Sequence, residues 1–197
     1  MTREELLEKL SNNETISNVD TSEIKDMSDL FNIMQSKHFV DDNFNQPLSD
    51  WDVSNVTDMT RMFCCTINFN QPLNNWDVSS VTSMQMMFDQ ALSFNQPLNE
   101  WDVSNVTNME RMFQFARSFN KPLNNWDVSN VENMVRMFYG VRKYTYSMKN
   151  WNLKSCCKTD KFLEKCNLWH LLNSEEDLPM QKGKRIDIGD RKTWKIL

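Results

Sequence analysis

The sequence predicts an α/β solenoid, in which similar units of 25 residues stack along one axis. The first observation is a tryptophan every 25 residues, at Trp51, Trp76, Trp101, Trp126 and Trp151. The second is that the flanking residues repeat with it: the lead-in 44–48 returns at 69–73 and 94–98, and Met62-Phe63 returns at 87–88. A fixed period of roughly 20–50 residues is typical of stacked supersecondary units that bury their apolar faces against their neighbours.

Two periodicities within one unit predict its elements. Residues 51–54 alternate apolar and polar side chains, which is the pattern of a half-buried strand. Apolar residues then recur at helical spacing over 56–63, which predicts a helix about two turns long. Pro47 cannot extend a helix, so the segment around it is predicted to be the return connection. Each unit therefore contributes one short parallel strand and one short helix.

The predicted solenoid is a single domain spanning residues 1–197, capped at both ends. Residues 1–18 form an N-terminal helical cap, because Thr2 and Glu5 have the spacing of a capping box. Residues 19–163 form the repeats, of which the first and last are degenerate, and about seven extra residues near Gln35 to Asp41 predict an inserted loop. Residues 164–197 form the C-terminal cap. It is predicted to contain a helix carrying Phe162 to Leu172 and a hairpin with a glycine turn between 186 and 196.

The repeats, written FNQPLxxWDVSNVxxMxxMF, resemble those of the BspA-like leucine-rich-repeat family over roughly residues 19–163. The resemblance implies a leucine-rich-repeat-like, right-handed coil. It also implies adhesive or protein-binding roles, in a family that occurs in bacteria, some protists and large DNA viruses.

Composition and charge limit the classes of function that this protein can have. The net charge of −5 does not indicate nucleic acid, and no stretch approaches the ~20 apolar residues of a membrane span. The N-terminus alternates charge with leucine and lacks the apolar run of a secretory signal, which predicts a cytoplasmic protein, or one of the virion or host cytoplasm if a virus encodes it. The five cysteines are odd in number and include two adjacent pairs, which favours free thiols over a disulfide framework.

The candidate binding site is a column of aspartates that point away from the core, one per unit. We include the residue before each tryptophan, because these positions vary between copies; the set is Asp50, Asp52, Asn75, Asp77, Glu100, Asp102, Asn125 and Asp127. One interpretation is a face that binds a protein with a basic surface. Another is structural, with each aspartate accepting backbone N–H bonds as an Asx turn does. A calcium site is the third, although calcium-binding solenoids have glycine-rich turns that this chain lacks.

The sequence does not indicate catalysis, a cofactor or a zinc site. Acid–base catalysis needs two carboxyl groups in different environments, whereas these aspartates share one local sequence. No phosphate loop or dinucleotide motif is present, so we predict neither an enzyme nor a cofactor. A zinc site at Cys156, Cys157, Cys166 and His170 is disfavoured, because adjacent cysteines chelate one ion awkwardly.

The sequence therefore predicts a non-enzymatic interaction or assembly module. Its partner would be a protein with a basic surface, or a second copy docking through the basic tail 181–197, which has six Lys and Arg residues against two aspartates. The alternative is a metal-dependent protein that acts on or binds carbohydrate through the stacked aspartates.

Overall fold

The computed structural model describes residues 1–32, 43–154 and 157–163, together with the backbone of 180–181 and 184–185. Within these residues the elements are one helix, α1 (Arg3–Ser11), and three two-residue strands, β1 (Asn152–Leu153), β2 (Met180–Gln181) and β3 (Lys184–Arg185). The strands form one sheet in the order β1-β2-β3, with β1 parallel to β2 and β2 antiparallel to β3. Most of the described chain therefore lies in turns and single bridges.

Helix α1 begins as predicted, with a capping box. Thr2 Oγ1 accepts from the Glu5 N–H at 3.2 Å, and Glu5 Oε2 accepts from the Thr2 N–H at 2.8 Å. Leu6 and Leu10 are buried and belong to the same apolar core as the repeats, and the Arg3 guanidinium donates to the Ser28 carbonyl. The prediction of a helix that begins with a capping box here is confirmed.

The repeats stack in parallel, one bridge per layer. We number the layers 1 to 6 by the residues that form these parallel bridges, in the order Asp26, Asp58, Ser83, Asn108, Asn133 and Lys158. The bridge lies seven residues beyond the tryptophan, whereas the sequence predicted the strand at residues 51–54. In the described copies with Trp51 to Trp126, that segment has no ladder partner and leads into a turn, in which the Val56 N–H donates to the Val53 carbonyl. Only in layer 6 does the tryptophan segment contain a strand, β1.

The helix predicted over residues 56–63 is absent from the described copies and is replaced by consecutive turns. Every second N–H of this segment donates to the next layer instead of to its own chain: Met59 to Ser83, Arg61 to Gln85, and Phe63 to Met87, at 2.8–3.0 Å. An α-helix would direct these donors to the carbonyls four residues earlier, so the two arrangements exclude each other. We call this segment of each layer the ladder segment; it spans residues 58–65 in layer 2.

The turns of the ladder segment hold ordinary residues in the left-handed region. The Met62 N–H donates to the Met59 carbonyl, and Arg61 has φ +54°, as the third residue of a type II turn requires. Met86, Arg111 and Arg136 repeat this at φ +54° to +55°. Such a conformation costs on the order of 1 kcal/mol in a residue with a Cβ, so the inter-layer hydrogen bonds and packing must offset it.

The core is a set of aromatic columns parallel to the stack. Trp76 and Trp101 are 4% and 3% exposed, and their rings lie 6.5 Å apart and parallel. Phe69 and Phe94 stack at 6.1 Å, while Phe88 packs on Phe94 at 4.1 Å. Adjacent layers thus bury identical side chains against one another.

Several predictions fall partly or wholly outside the described residues. These are the inserted loop near Gln35 to Asp41, most of the C-terminal helix, and the hairpin at 186–196; at the start of that helix Phe162 and Leu163 are buried in a turn. The antiparallel pair that the structure describes lies earlier, between β2 and β3. Within the described part of the chain, no helix has the length and apolar character needed to cross a membrane.

Candidate functional site

The structure places all eight predicted site residues at the surface. The four aspartates and the four residues that precede the tryptophans are exposed in every copy, while each tryptophan between them is buried. The two sets therefore run as adjacent columns along one side of the stack. Layers joined by a parallel bridge are about 4.8 Å apart, so successive carboxylates of the column are neighbours.

Each aspartate of the column forms an Asx turn. Asp52 Oδ1 accepts from the Ser54 N–H at 3.0 Å and from the Ser54 hydroxyl at 2.7 Å, and Asp77 does the same with Ser79. In the next two layers the Ser104 N–H donates to Asp102 and the Ser129 N–H donates to Asp127, both at 3.0 Å. These hydrogen bonds agree with the structural interpretation of the column, in which each carboxylate fixes the corner that follows it.

The same hydrogen bonds favour the charged form of the carboxyl group. Hydrogen bonds from the Ser54 hydroxyl and N–H hold the pKa of Asp52 below its ordinary value, and those from Ser104 do so for Asp102. Asp52 and Asp102 are therefore anionic at neutral pH.

The flanking positions have dissimilar contacts. Asp50 Oδ2 accepts from the Asn18 N–H at 2.5 Å, which links layer 2 to the N-terminal cap. Asn75 accepts from Asn74, while Glu100 accepts from Asn99 and from Asn125 in the next layer at 3.3–3.4 Å. These residues therefore give an otherwise regular face a surface that differs from layer to layer.

Asparagines at the lead-in form a second column, on the return connection. The Asn70 N–H donates to Asn45 Oδ1, and the same bond joins Asn95 to Asn70 and Asn120 to Asn95, at 2.8–2.9 Å. The column ends on the Thr145 N–H, which donates to Asn120 Oδ1 at 3.0 Å. Each side-chain amide thus satisfies a backbone donor of the following layer.

The sequence pattern did not predict a role for the polar residues of the ladder segment. Asp89 is 5% exposed and accepts from Gln114 Nε2 at 3.2 and 3.4 Å, and burial raises its pKa to about 6. The equivalent residue in layer 2 is Cys64, followed by Cys65. The sequence did contain a signal for this position: its residue changes from copy to copy, whereas the residue before it is always phenylalanine, at Phe63, Phe88 and Phe113.

The structure brings together no metal site within its described ranges. No group of three or more His, Cys, Asp or Glu side chains there could hold a metal ion. Of the four residues considered for zinc, only Cys157 is described, and its side chain is buried; Cys156, Cys166 and His170 lie outside those ranges.

Comparison with known proteins identifies a family and no individual relative. Neither a curated protein nor a solved structure matches the chain. A family model described as a Mycoplasma protein of unknown function, DUF285, matches twice, over residues 3–102 and 73–172. The two matches overlap over residues 73–102 and together extend from α1 to beyond the described part of layer 6. The chain therefore belongs to the DUF285 family.

Proposed function

We propose that this protein is a non-enzymatic repeat protein, a leucine-rich-repeat-like solenoid of the BspA-like type, that binds a protein partner through its exposed aspartate column. The observation that carries the proposal is the repetition of one rigid carboxylate geometry in four layers, at Asp52, Asp77, Asp102 and Asp127. A preorganised row of like charges loses little conformational freedom on binding, which favours association.

The charge of the column indicates the chemistry of the partner. Neighbouring carboxylates at about 5 Å repel one another by roughly 1 kcal/mol in water, and a row of cations would relieve this repulsion. We therefore propose a partner with a basic surface, whose association weakens as salt screens the charges. The dissimilar flanking residues, Asp50, Asn75, Glu100 and Asn125, would set the register of that partner.

A second copy of the chain is one candidate partner. Residues 1–110 contain 18 Asp and Glu residues against five Lys and Arg, whereas residues 111–197 contain nine against 17. The acidic part of one copy and the basic part of another are therefore complementary, which supports assembly through the C-terminal region. The cytoplasmic location suggested by the sequence stays a prediction.

Substitutions can separate the charge of the column from its role in the turn. Asparagine keeps an oxygen that accepts the Ser79 and Ser104 bonds but removes the charge, so Asp77→Asn with Asp102→Asn is the informative variant. We expect it to lose partner capture while its melting temperature stays close to that of the wild type. The measurement is capture from lysate of the native cell, quantified by mass spectrometry at two salt concentrations, alongside sedimentation equilibrium of the purified protein.

The matched control is Ser79→Ala with Ser104→Ala, which removes the hydroxyl donors and keeps both carboxylates. We expect this control to capture the same proteins as the wild type. If the uncharged double variant still captures them at low salt, the binding surface lies elsewhere on the molecule.

A further inference from the structure

Two neighbouring thiols interrupt the repeat in layer 2. Cys64 and Cys65 stand where the later layers have Asp89-Gln90, Gln114-Phe115 and Tyr139-Gly140. Their Sγ atoms are 3.6 Å apart, and neither is in a disulfide. Because other residue pairs occupy the same turn, its backbone does not require cysteine here.

The two thiols differ in their access to solvent. Cys64 is 8% exposed and directly follows the fully buried Phe63 in the chain. Cys65 is half-buried and reaches the surface, held at φ +62° by the turn. Its N–H donates to the Asp89 carbonyl at 2.8 Å, which fixes the backbone that carries the more accessible sulfur.

The contact between the sulfurs also makes them chemically unequal. The hydrogen bond from the Cys64 thiol lowers the pKa of Cys65, while the same bond, together with burial, raises the pKa of Cys64. Thiolate character and access decide which cysteine is oxidised first, and both favour Cys65. Cys64 is then the neighbouring thiol within reach.

We propose that Cys64 and Cys65 form a site of reversible oxidation, at which a hydroperoxide converts the two thiols into a disulfide between adjacent residues. The Cys65 thiolate attacks the distal oxygen of the peroxide, the O–O bond breaks, and the leaving hydroxide or alkoxide takes up a proton, giving Cys65 sulfenic acid. The Cys64 sulfur then attacks the Cys65 sulfur; its proton and the departing hydroxide form water. Two thiols are oxidised and one peroxide is reduced. This inference is independent of the partner proposed above.

Geometry predicts that the product is easily reduced. Consecutive Cα atoms are about 3.8 Å apart, whereas bridged cysteines usually have Cα atoms about 4.4–6.8 Å apart. Strained disulfides have more oxidising potentials and belong to the labile, regulatory class. The oxidised pair should therefore return to thiols under mild dithiol reduction.

Dimedone, which traps sulfenic acids, tests the assignment of roles. We expect peroxide-treated wild-type protein to lose the mass of two hydrogen atoms from the peptide that contains both residues, with little dimedone adduct, and to regain it with dithiothreitol. Cys64→Ser, or Cys64→Ala if serine disturbs the core, should accumulate dimedone adduct on Cys65. Cys65→Ser should show neither change.

Untreated protein serves as the baseline, in which all five cysteines should alkylate as free thiols. Peptide mapping separates this pair from Cys156 and Cys157, which lie 92 residues further along the chain. The proposal is overturned if the wild type accumulates adduct on Cys65 without forming the disulfide, if Cys64 carries the adduct, or if peroxide leaves this peptide unchanged in folded protein.

Discussion

The indole nitrogen of Trp76 donates a 2.9 Å hydrogen bond to the backbone carbonyl of Leu48, 28 residues earlier. The same bond joins Trp101 to Leu73, Trp126 to Leu98 and Trp151 to Leu123, at 2.8–3.0 Å. The repeated tryptophan is therefore both an apolar core residue and a polar connection between layers. A residue that only filled space could be replaced by another aromatic, whereas this one also has to supply a donor.

Substitution of Trp76 should separate its two contributions. Trp76→Ala removes the ring and the donor and should lower the free energy of unfolding by roughly 3–5 kcal/mol. Trp76→Phe keeps an aromatic ring but removes the indole donor, while the Leu48 carbonyl retains the 3.2 Å bond from the Trp51 N–H, so a loss of about 1 kcal/mol is expected. Urea denaturation measures both losses. A loss below about 1 kcal/mol in the alanine variant contradicts the packing described here.

Asp89 should give the protein a pH dependence of stability. Its pKa rises from an ordinary 3.8 to about 6 because burial disfavours the carboxylate, so the folded state binds the proton more tightly than the unfolded state. Between these two values the free energy of unfolding should fall as the pH rises, by up to about 3 kcal/mol in total. Asp89→Asn should remove this fall and be the more stable protein at pH above about 7.

Denaturation at several pH values, with Asp102→Asn as the control, checks this expectation. The pKa of Asp102 is lowered by the hydrogen bonds from Ser104, so its contribution is lost only as the pH falls through that lower value. It therefore should not change the slope between pH 4 and 6. An unchanged slope in Asp89→Asn would show that another group titrates there.

Gly140 should tolerate no side chain while Phe115 is present. A Cβ at residue 140 would lie 2.4 Å from Phe115 Cδ1, and Gly140 has φ +74°. Gly140→Ala should therefore destabilise the protein by roughly 1–3 kcal/mol, through the clash and the backbone strain together. Adding Phe115→Ala should recover only the part due to the clash, which a double-mutant cycle of melting experiments isolates.

The asparagine column should depend on an acceptor and not on the amide group itself. Asn95→Ala leaves the Asn120 N–H without the oxygen that it reaches at 2.8 Å, so a loss of about 1 kcal/mol is expected. Asn95→Asp keeps an oxygen acceptor at the same place and should lose less. Equal losses in the two variants, measured by thermal denaturation, would contradict an acceptor role.

The sequence predicted burial better than it predicted backbone conformation. Val56, Met59, Met62 and Phe63 are all buried, as their spacing indicated, yet they lie in turns instead of a helix. Both conformations return a side chain to the same side after three residues, so apolar spacing alone does not distinguish them. The two conformations differ in which carbonyls accept the backbone N–H hydrogen bonds, and here the acceptors belong to the next layer, about 25 residues away.

Helix α1 and the aspartate column depend on residues close together in the sequence, whereas the burial of Asp89 depends on residues far apart. The capping box of Thr2 and Glu5 depends on residues three apart, so a sequence pattern was sufficient to place it. The Asx turns at Asp52 and its equivalents are also local, and the sequence suggested them as one interpretation. Asp89 is different, because its burial and its bond to Gln114 exist only once layers 3 and 4 are stacked.

The hydrogen bonds between successive ladder segments are the same at each junction, and this regularity has a consequence for the gene. Met59 to Ser83, Met84 to Asn108 and Met109 to Asn133 are the same bond at three junctions. Unequal recombination that removed codons 76–100 would bring Trp101 into the position of Trp76, facing the carbonyl of Leu48. The coding sequence can therefore lengthen or shorten by whole units, whereas a single-codon insertion within a ladder segment would put the remaining donors of that segment out of register with the carbonyls of the next layer.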